Sequence, residues 1–305
     1  MSKPLPRVGV VIINWKSPAD TLRCLGSLET STFPNRLITV VENGSGDDSA
    51  DRLKQAYPEL NLLVSQQNLG YTGGNNLGIR SCLAQGCDYV FLLNDDAIVE
   101  AQTLAELVQA ASQHPQAGFF GPKILAIEEP ELLLSAGGTW DARYLPANRG
   151  LGETDAGQYD QSEMVSFLSG CALLVRREVI ERVGLLDEDY FAYNEEVDWC
   201  YRGLQAGYQA VYVPSSRVWH PDTRRRDQDS PNVTYYTTRN SLLFARKRKA
   251  GAGILLRNYV TYLRRYLSWS LRPKWRKAYH PAQRAALRQA LLDDMRGRYG
   301  IRPVN

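Results

Sequence analysis

At 305 residues, 44% hydrophobic and 23% charged, the chain has the make-up of a soluble globular protein, long enough for one large domain or two. Nothing in it approaches about 18 uninterrupted apolar residues, and Met1 to Arg7 leads into an apolar run too short for a signal peptide, which excludes a transmembrane helix and points to the cytoplasm. The net charge of +3 divides unevenly: from Arg239 onward 17 basic residues face only Asp293 and Asp294, which leaves 19 basic and 31 acidic residues upstream, so an acidic body carries a basic tail suited to an anionic surface.

In chain order, Val8 to Ile13 is the β-branched run that a strand buried on both faces requires, and it stops at Asn14-Trp15-Lys16-Ser17-Pro18. Asp20 to Glu29 places Leu22, Leu25 and Leu28 on one helical face. Leu37 to Val41 predicts a second strand, followed by the turn-rich Glu42 to Asp48, a helix over Ala50 to Tyr57 and a short strand from Asn61 to Ser65. Asn68 to Gly78 reads as a glycine-dense loop entering a helix that ends near Gly86. Backbone N–H groups at such a helix start attract phosphate, but the Gly-Lys-Ser/Thr of an ATPase loop is missing, and the first strand lacks the Gly-x-Gly-x-x-Gly of a dehydrogenase.

The stretch Asp88 to Ala97 organises the rest. Val90 to Leu93 is continuously apolar and ends abruptly in Asn94, Asp95 and Asp96. Adjacent carboxylates repel each other, and become favourable when a divalent cation such as Mg²⁺ or Mn²⁺ sits between them and a phosphate. The bland alternative is a polar turn that caps the next helix, Gln102 to Gln113. With Ala117 to Leu125 as a further strand, the alternation predicts an α/β fold with a mostly parallel sheet flanked by helices. Right-handed crossovers then bring Asn14, Glu42, Asn68 and Asp96 into one crevice at the carboxyl ends of the strands.

Glu128 to Met164 reads as a long irregular connection, followed by an apolar segment from Ser166 to Val175 and a helix over Arg177 to Val183. A second acidic concentration lies in Leu185 to Arg202, with a helix from Glu195 to Ala206. Glu195 and Asp198 share a face of it, and Asp198 is four residues from Arg202, the spacing of an ordinary ion pair. Ala210 to Val213 is the last strand and leads to His220, after which Thr223 to Pro231 reads as charged and mobile. Helices over Thr234 to Arg246, Ile254 to Leu271, broken by Pro273, and Pro281 to Arg296 make a basic extension, giving domains 1–222 and 223–305. Five scattered cysteines without Cys-x-x-Cys argue against both disulfides and a thiolate metal site. In the extension Tyr259, Tyr262, Tyr266, Trp269 and Trp275 interleave with arginines, which favours peripheral membrane contact over plain packing or a homodimer interface, and both over nucleic acid.

Seven segments carry a resemblance: Val-Ile-Ile-Asn-Trp, Val-Val-Glu-Asn-Gly-Ser, Asn-Leu-Gly-Tyr-Thr-Gly-Gly-Asn-Asn-Leu-Gly, Leu-Leu-Asn-Asp-Asp, Gly-Cys-Ala-Leu-Leu-Val-Arg-Arg, Phe-Ala-Tyr-Asn-Glu-Glu-Val-Asp-Trp-Cys-Tyr-Arg and Trp-His, in that order between Val8 and His220. Together they resemble the family 2 inverting glycosyltransferases of the GT-A fold, in particular the rhamnosyltransferase-like and galactofuranosyltransferase-like branch. The resemblance implies a UDP- or dTDP-sugar donor, a glycan or lipid-linked acceptor in cell-surface polysaccharide synthesis, and a divalent metal. It implies Asp96 and His220 as metal ligands, imidazole suiting Mn²⁺ better than Mg²⁺, with Asp95 on the ribose or ordering the metal site and no metal role for Asn94. Glu196 matches the base, where aspartate is commoner, with Glu195 as rival and Asp198 beside them. Ile13, Asn14 and Trp15 would lie against base and ribose, Glu42 on the pyrimidine edge, and Asn68, Gly73 and Asn76 along base and phosphates. The competing classes are a sugar-phosphate nucleotidyltransferase, whose basic glycine-rich loop after the first strand is not found here, and a non-catalytic sugar-nucleotide-binding protein.

Overall fold

The computed structural model describes residues 4–222, 230–271 and 281–303. Pro273, Trp275 and the segment after Asp222, apart from Ser230 and Pro231, lie outside the described residues. Chain proximity defines two compact units: Met1–Thr139, Asn148–Leu186 and Glu196–Pro221 form the first, and Trp140–Ala147, Asp187–Glu195 and Asp222–Asn305 the second.

The first unit is built on one large sheet. In chain order it contains β1 (Val8–Asn14), α1 (Pro18–Glu29), β2 (Arg36–Asn43), α2 (Ser49–Ala56), β3 (Asn61–Ser65), α3 (Gly70–Ala84), β4 (Tyr89–Asn94), β5 (Ile98–Val99), α4 (Thr103–Gln113), β6 (Ala117–Ala126) and β7 (Leu133–Ser135). After the small pair β8 (Gly138–Trp140) and β9 (Pro146–Asn148) come β10 (Glu163–Val165), β11 (Ala172–Arg176), α5 (Arg177–Val183), α6 (Glu195–Gln205) and β12 (Gln209–His220). The sheet runs β10-β12-β6-β11-β4-β1-β2-β3. β4, β1, β2 and β3 are mutually parallel, as their unbroken apolar runs require, and Val8, Val10, Val11, Ile12, Val90 and Phe91 are fully buried.

Three features depart from the sequence expectations. β11 lies between β4 and β6 antiparallel to both, so the parallel run is interrupted at its centre. Residues 128–164 are not an irregular connection: β7 pairs with β6 and β10 with β12, and the stretch is pinned by Lys123, fully buried on β6, whose Nζ donates to Asp155 at 2.7 Å and Asp160 at 2.6 Å. Those carboxylates compensate a charge that would otherwise be stranded in the sheet. Finally, the glycine-dense run is the start of helix α3 and not a loop. Its glycines allow close approach: a Cβ on Gly78 would stand 2.3 Å from Val11 Cγ1, and one on Gly74 3.1 Å from Ile13 Cδ1. Gly78→Ala is therefore expected to lower unfolding stability by about 1–3 kcal/mol, read from the denaturant midpoint, although alanine is the better helix former.

The second unit is organised by α7 (Pro231–Lys247), α8 (Ala252–Leu271) and α9 (Pro281–Met295). Arg239 of α7 is fully buried and donates to Asp189 O and Tyr190 O, each at 3.0 Å, and to Gly300 O at 2.6 Å, with Tyr235, Tyr236 and Tyr299 around its guanidinium. Asn240 next to it donates to Tyr190 O at 2.9 Å and to Ala192 O and Tyr193 O at 2.7 Å. The two side chains thus fix the segment entering α6, where Phe191, Tyr193 and Asn194 have φ of 63°, 69° and 70°, a region that side-chain-bearing residues occupy only under constraint. No helix of the described residues is long and apolar enough to cross a membrane.

Candidate functional site

The parallel register aligns the carboxyl ends of three strands in the first unit. Asn14 pairs with Glu42, and Ile13 with Asn94. Beyond β4 the chain turns through Asp95 and Asp96. Asp95 Oδ2 accepts a hydrogen bond from Ser17 Oγ and lies 3.5 Å from Thr21 Oγ1. Ser17 occupies the N-cap position of α1 yet makes no cap bond, so its hydroxyl is committed to the strand-end acid. Burial pushes the Asp95 carboxyl up to about 7 against the lowering effect of that hydroxyl, and the charges of Asp96 and Asp20 add to the rise.

Asp96 is 8% exposed, and its Oδ1 stands 3.0 Å from Nε2 of His220, also 8% exposed. His220 is the last residue of β12 and not a residue beyond the final strand: β12 extends through a register shift between Val213 and Arg217. His220 Nδ1 lies 2.8 Å from Pro221 O, which can only accept, so Nδ1 carries a proton. In the neutral ring Nε2 then carries the lone pair, to which Asn94 Nδ2, 3.0 Å away, is placed to donate, so a cation at that nitrogen would have to displace the Asn94 bond. Oxygen and nitrogen 3.0 Å apart match two adjacent ligands of an octahedral ion with bonds of about 2.1 Å. Among the described residues no group of three or more His, Cys, Asp or Glu side chains is arranged to hold a metal. Asp96 and His220 offer one oxygen and one nitrogen donor, so most positions around an ion held there would be left to other ligands.

The acidic helix meets the same region through Gly170. Asn94 N donates to Cys171 O at 2.9 Å, which ties the end of β4 to the approach to β11. Tyr71, in the first turn of α3, donates its hydroxyl to Gly170 O, and a Cβ on Gly170 would lie 3.5 Å from Glu196 Cβ. Glu196 is half-buried at the start of α6, and its neighbour Glu195 is buried. Asp198 is fully buried and bonded at 2.7 Å to Arg202 Nε, while Arg202 also donates to Val183 O and Leu185 O. That geometry makes Asp198 a brace of α6, not a group poised for a substrate.

On the other flank Asn14 is fully buried, bonded to Thr21 and Ser45, and Glu42 Oε1 accepts from Ser45 N at 2.8 Å. Asn68 Oδ1 accepts from Gly70 N at 2.7 Å and from Asn43 Nδ2 at 3.3 Å, and so caps the entry to α3. Trp15 is 49% exposed, with Lys16 Nζ 5.5 Å from its ring, and offers an open aromatic face beside β1. Gly73 lies inside α3, where a Cβ would meet Leu69 Cβ at 2.8 Å. Asn76 departs from its expected place along the phosphates: its amide bonds Leu186 in both directions, at 2.9 and 3.1 Å, and cross-links α3 to residue 186. Sequence reasoning missed Ser17, Ser45, Tyr71 and Gly170. The only available signal was a serine just before Pro18 and a tyrosine amid glycines.

A sequence profile described as glycosyltransferase-like family 2 matches residues 6–241. The chain is similar to N-acetylglucosaminyl-diphospho-decaprenol L-rhamnosyltransferase of Mycobacterium tuberculosis, 29% identical over 95% of this chain and 96% of that protein. Galactofuranosyltransferase GlfT1 of the same organism is 30% identical over 70% of each chain. Among solved structures, the mannosyltransferase PcManGT from Pyrobaculum calidifontis, in complex with GDP-Man and Mn²⁺, superposes with a TM-score of 0.57 at 14% identity, covering 95% of this chain and 87% of that one.

Proposed function

From the premise that the chain belongs to the family 2 glycosyltransferases, on a GT-A sheet, we propose a metal-dependent, inverting transfer of a rhamnose-like sugar from a dTDP- or UDP-activated donor to a hydroxyl of a lipid-linked glycan acceptor. The choice of sugar and acceptor draws on relatives whose names specify L-rhamnose transfer to a decaprenyl diphosphate-linked N-acetylglucosamine and dTDP-rhamnose as donor. The observation that carries the reading is the Asp96–His220 pair at the strand ends, with the ring's other nitrogen held by Pro221 O.

In this reading Asp96 and His220 hold a Mn²⁺ or Mg²⁺ ion, which when bound offsets charge developing on the departing diphosphate. Asp95, steadied by Ser17, takes a ribose hydroxyl, and Glu42 accepts from the pyrimidine edge while Trp15 and Ile13 cover the base. Glu196 accepts the proton of the attacking hydroxyl. As the new bond forms between that oxygen and the sugar's anomeric carbon, the bond from the carbon to phosphate breaks on the opposite face, and the nucleoside diphosphate leaves with the electron pair. Asp198 and Arg202 keep the base on a rigid helix.

Thermal-shift measurements test this directly. At a hundredfold excess over Kd, a dTDP- or UDP-sugar with Mn²⁺ is expected to raise the melting temperature by roughly 3–6 °C, and much less with chelator present. Equal stabilisation by GDP-sugars, or no dependence on the ion, refutes the donor or the metal assignment respectively.

A further inference from the structure

The outer face of α8 is apolar and open. Leu256 is 65% exposed, Leu263 49%, Leu267 43% and Leu271 73%. With Val260 they fall within about 80° of one another at 3.6 residues per turn, a single strip along most of the helix. The other side of α8 does the packing: Tyr259, Tyr262, Tyr266 and Trp269 join Leu242 of α7 and Leu287 of α9 in one cluster. Isolated surface leucines need no reason, whereas four in register form a patch of the kind that marks a contact surface. Arg257 and Arg264, both exposed, border the strip along one edge, while Arg265 lies on the packing side against the rings of Tyr262 and Trp269.

The sequence around the strip is one-signed. Between Ala245 and Leu292 it holds 13 Lys or Arg and no Asp or Glu; four of these lie outside the described residues, and Arg246 and Lys247 are paired with Asp294 and with Asp187 and Asp189. The two acids of the tail are both buried in α9: Asp293 accepts from Tyr235 at 2.9 Å, and Asp294 pairs with Arg246 at 3.0 Å. They are therefore spent inside the unit and do not offset the surface arginines.

An apolar strip edged by cations selects among partners. Nucleic acid would engage the arginines but leave the leucines in water, and a second copy packed strip to strip by two-fold symmetry would bring the arginines of both copies together. We propose that α8 lies in the plane of an anionic lipid bilayer, with its leucines at the acyl boundary and its arginines among the head-group phosphates. This surface is separate from the sugar-transfer chemistry and does not depend on which donor is used.

Co-sedimentation of the full chain with vesicles provides the test. Binding is expected to vesicles containing phosphatidylglycerol, to weaken with added salt, and to be absent with phosphatidylcholine alone. Leu263→Ser with Leu267→Ser should lower the partition coefficient roughly tenfold or more, and Arg257→Gln with Arg264→Gln roughly fivefold per arginine. Because all four side chains are exposed, the variants should keep the parent's melting temperature and circular dichroism. Equal binding to both vesicle types, indifference to the leucine pair, or a dimer in light scattering that the leucine variant dissociates would each overturn the proposal.

Discussion

Glu196→Gln is expected to bind the sugar-nucleotide donor as the parent does and to transfer the sugar about a thousandfold more slowly, since positioned general bases contribute about 10²–10⁴ to rate. Glutamine keeps the length and shape of the side chain, so its packing beside Gly170, where there is no side chain, is unchanged and α6 should start as before. What it loses is the ability to take a proton. A thermal-shift titration with the donor reads binding, and single-turnover transfer reads chemistry, so the two losses separate. Asp198→Asn makes the informative control. It leaves Arg202 beside a neutral partner in a buried setting, so stability should fall along with activity. If Glu196→Gln keeps full turnover while Glu195→Gln loses it, the proton acceptor is the buried neighbour and the assignment made from register is off by one residue.

The sequence made some of this arrangement legible and hid the rest for definable reasons. Val8 to Ile13 and Val90 to Leu93 announced buried parallel strands because both faces must be apolar, and Asn94-Asp95-Asp96 marked a candidate site because carboxylates at a strand end need a reason. The orientation of β11 was not legible, since an apolar run reads the same in either direction and only its pairing with Tyr89 to Leu93 reveals it. The start of α3 misled through composition: glycine is a poor helix former, and only the approach of Gly78 to Val11 shows why the helix tolerates so many. The left-handed residues Phe191, Tyr193 and Asn194 carry no glycine to advertise the turn. What holds them, Arg239 and Asn240, lies about 50 residues downstream, beyond any local pattern. Asn76 misled in the opposite way: it stands within a motif associated with nucleotide contact, but its side chain is consumed by the backbone of Leu186.

Asp96→Ala is expected to abolish the ion-dependent part of donor stabilisation and to reduce transfer by about three orders of magnitude or more, while the fold survives. The reasoning runs through His220. In the parent, a carboxylate oxygen and an imidazole nitrogen face one another at 3.0 Å, and the ring's other nitrogen is held by Pro221 O. Removing the carboxylate leaves one protein ligand, and a lone neutral imidazole binds Mn²⁺ weakly because hard oxygen donors supply most of that ion's affinity. Donor affinity measured in chelator should change little, since Glu42, Trp15 and Asn14 lie on the flank of β1 and β2. The gap between the curves with and without Mn²⁺, several degrees in the parent, should close in the variant. His220→Ala should narrow the same gap less, because Asp96 remains and oxygen is the favoured donor type. If Asp96→Ala turns over at the parental rate, the strand-end acids do no more than shape a polar turn ahead of α4, and both the metal site and the transfer mechanism built on it are refuted.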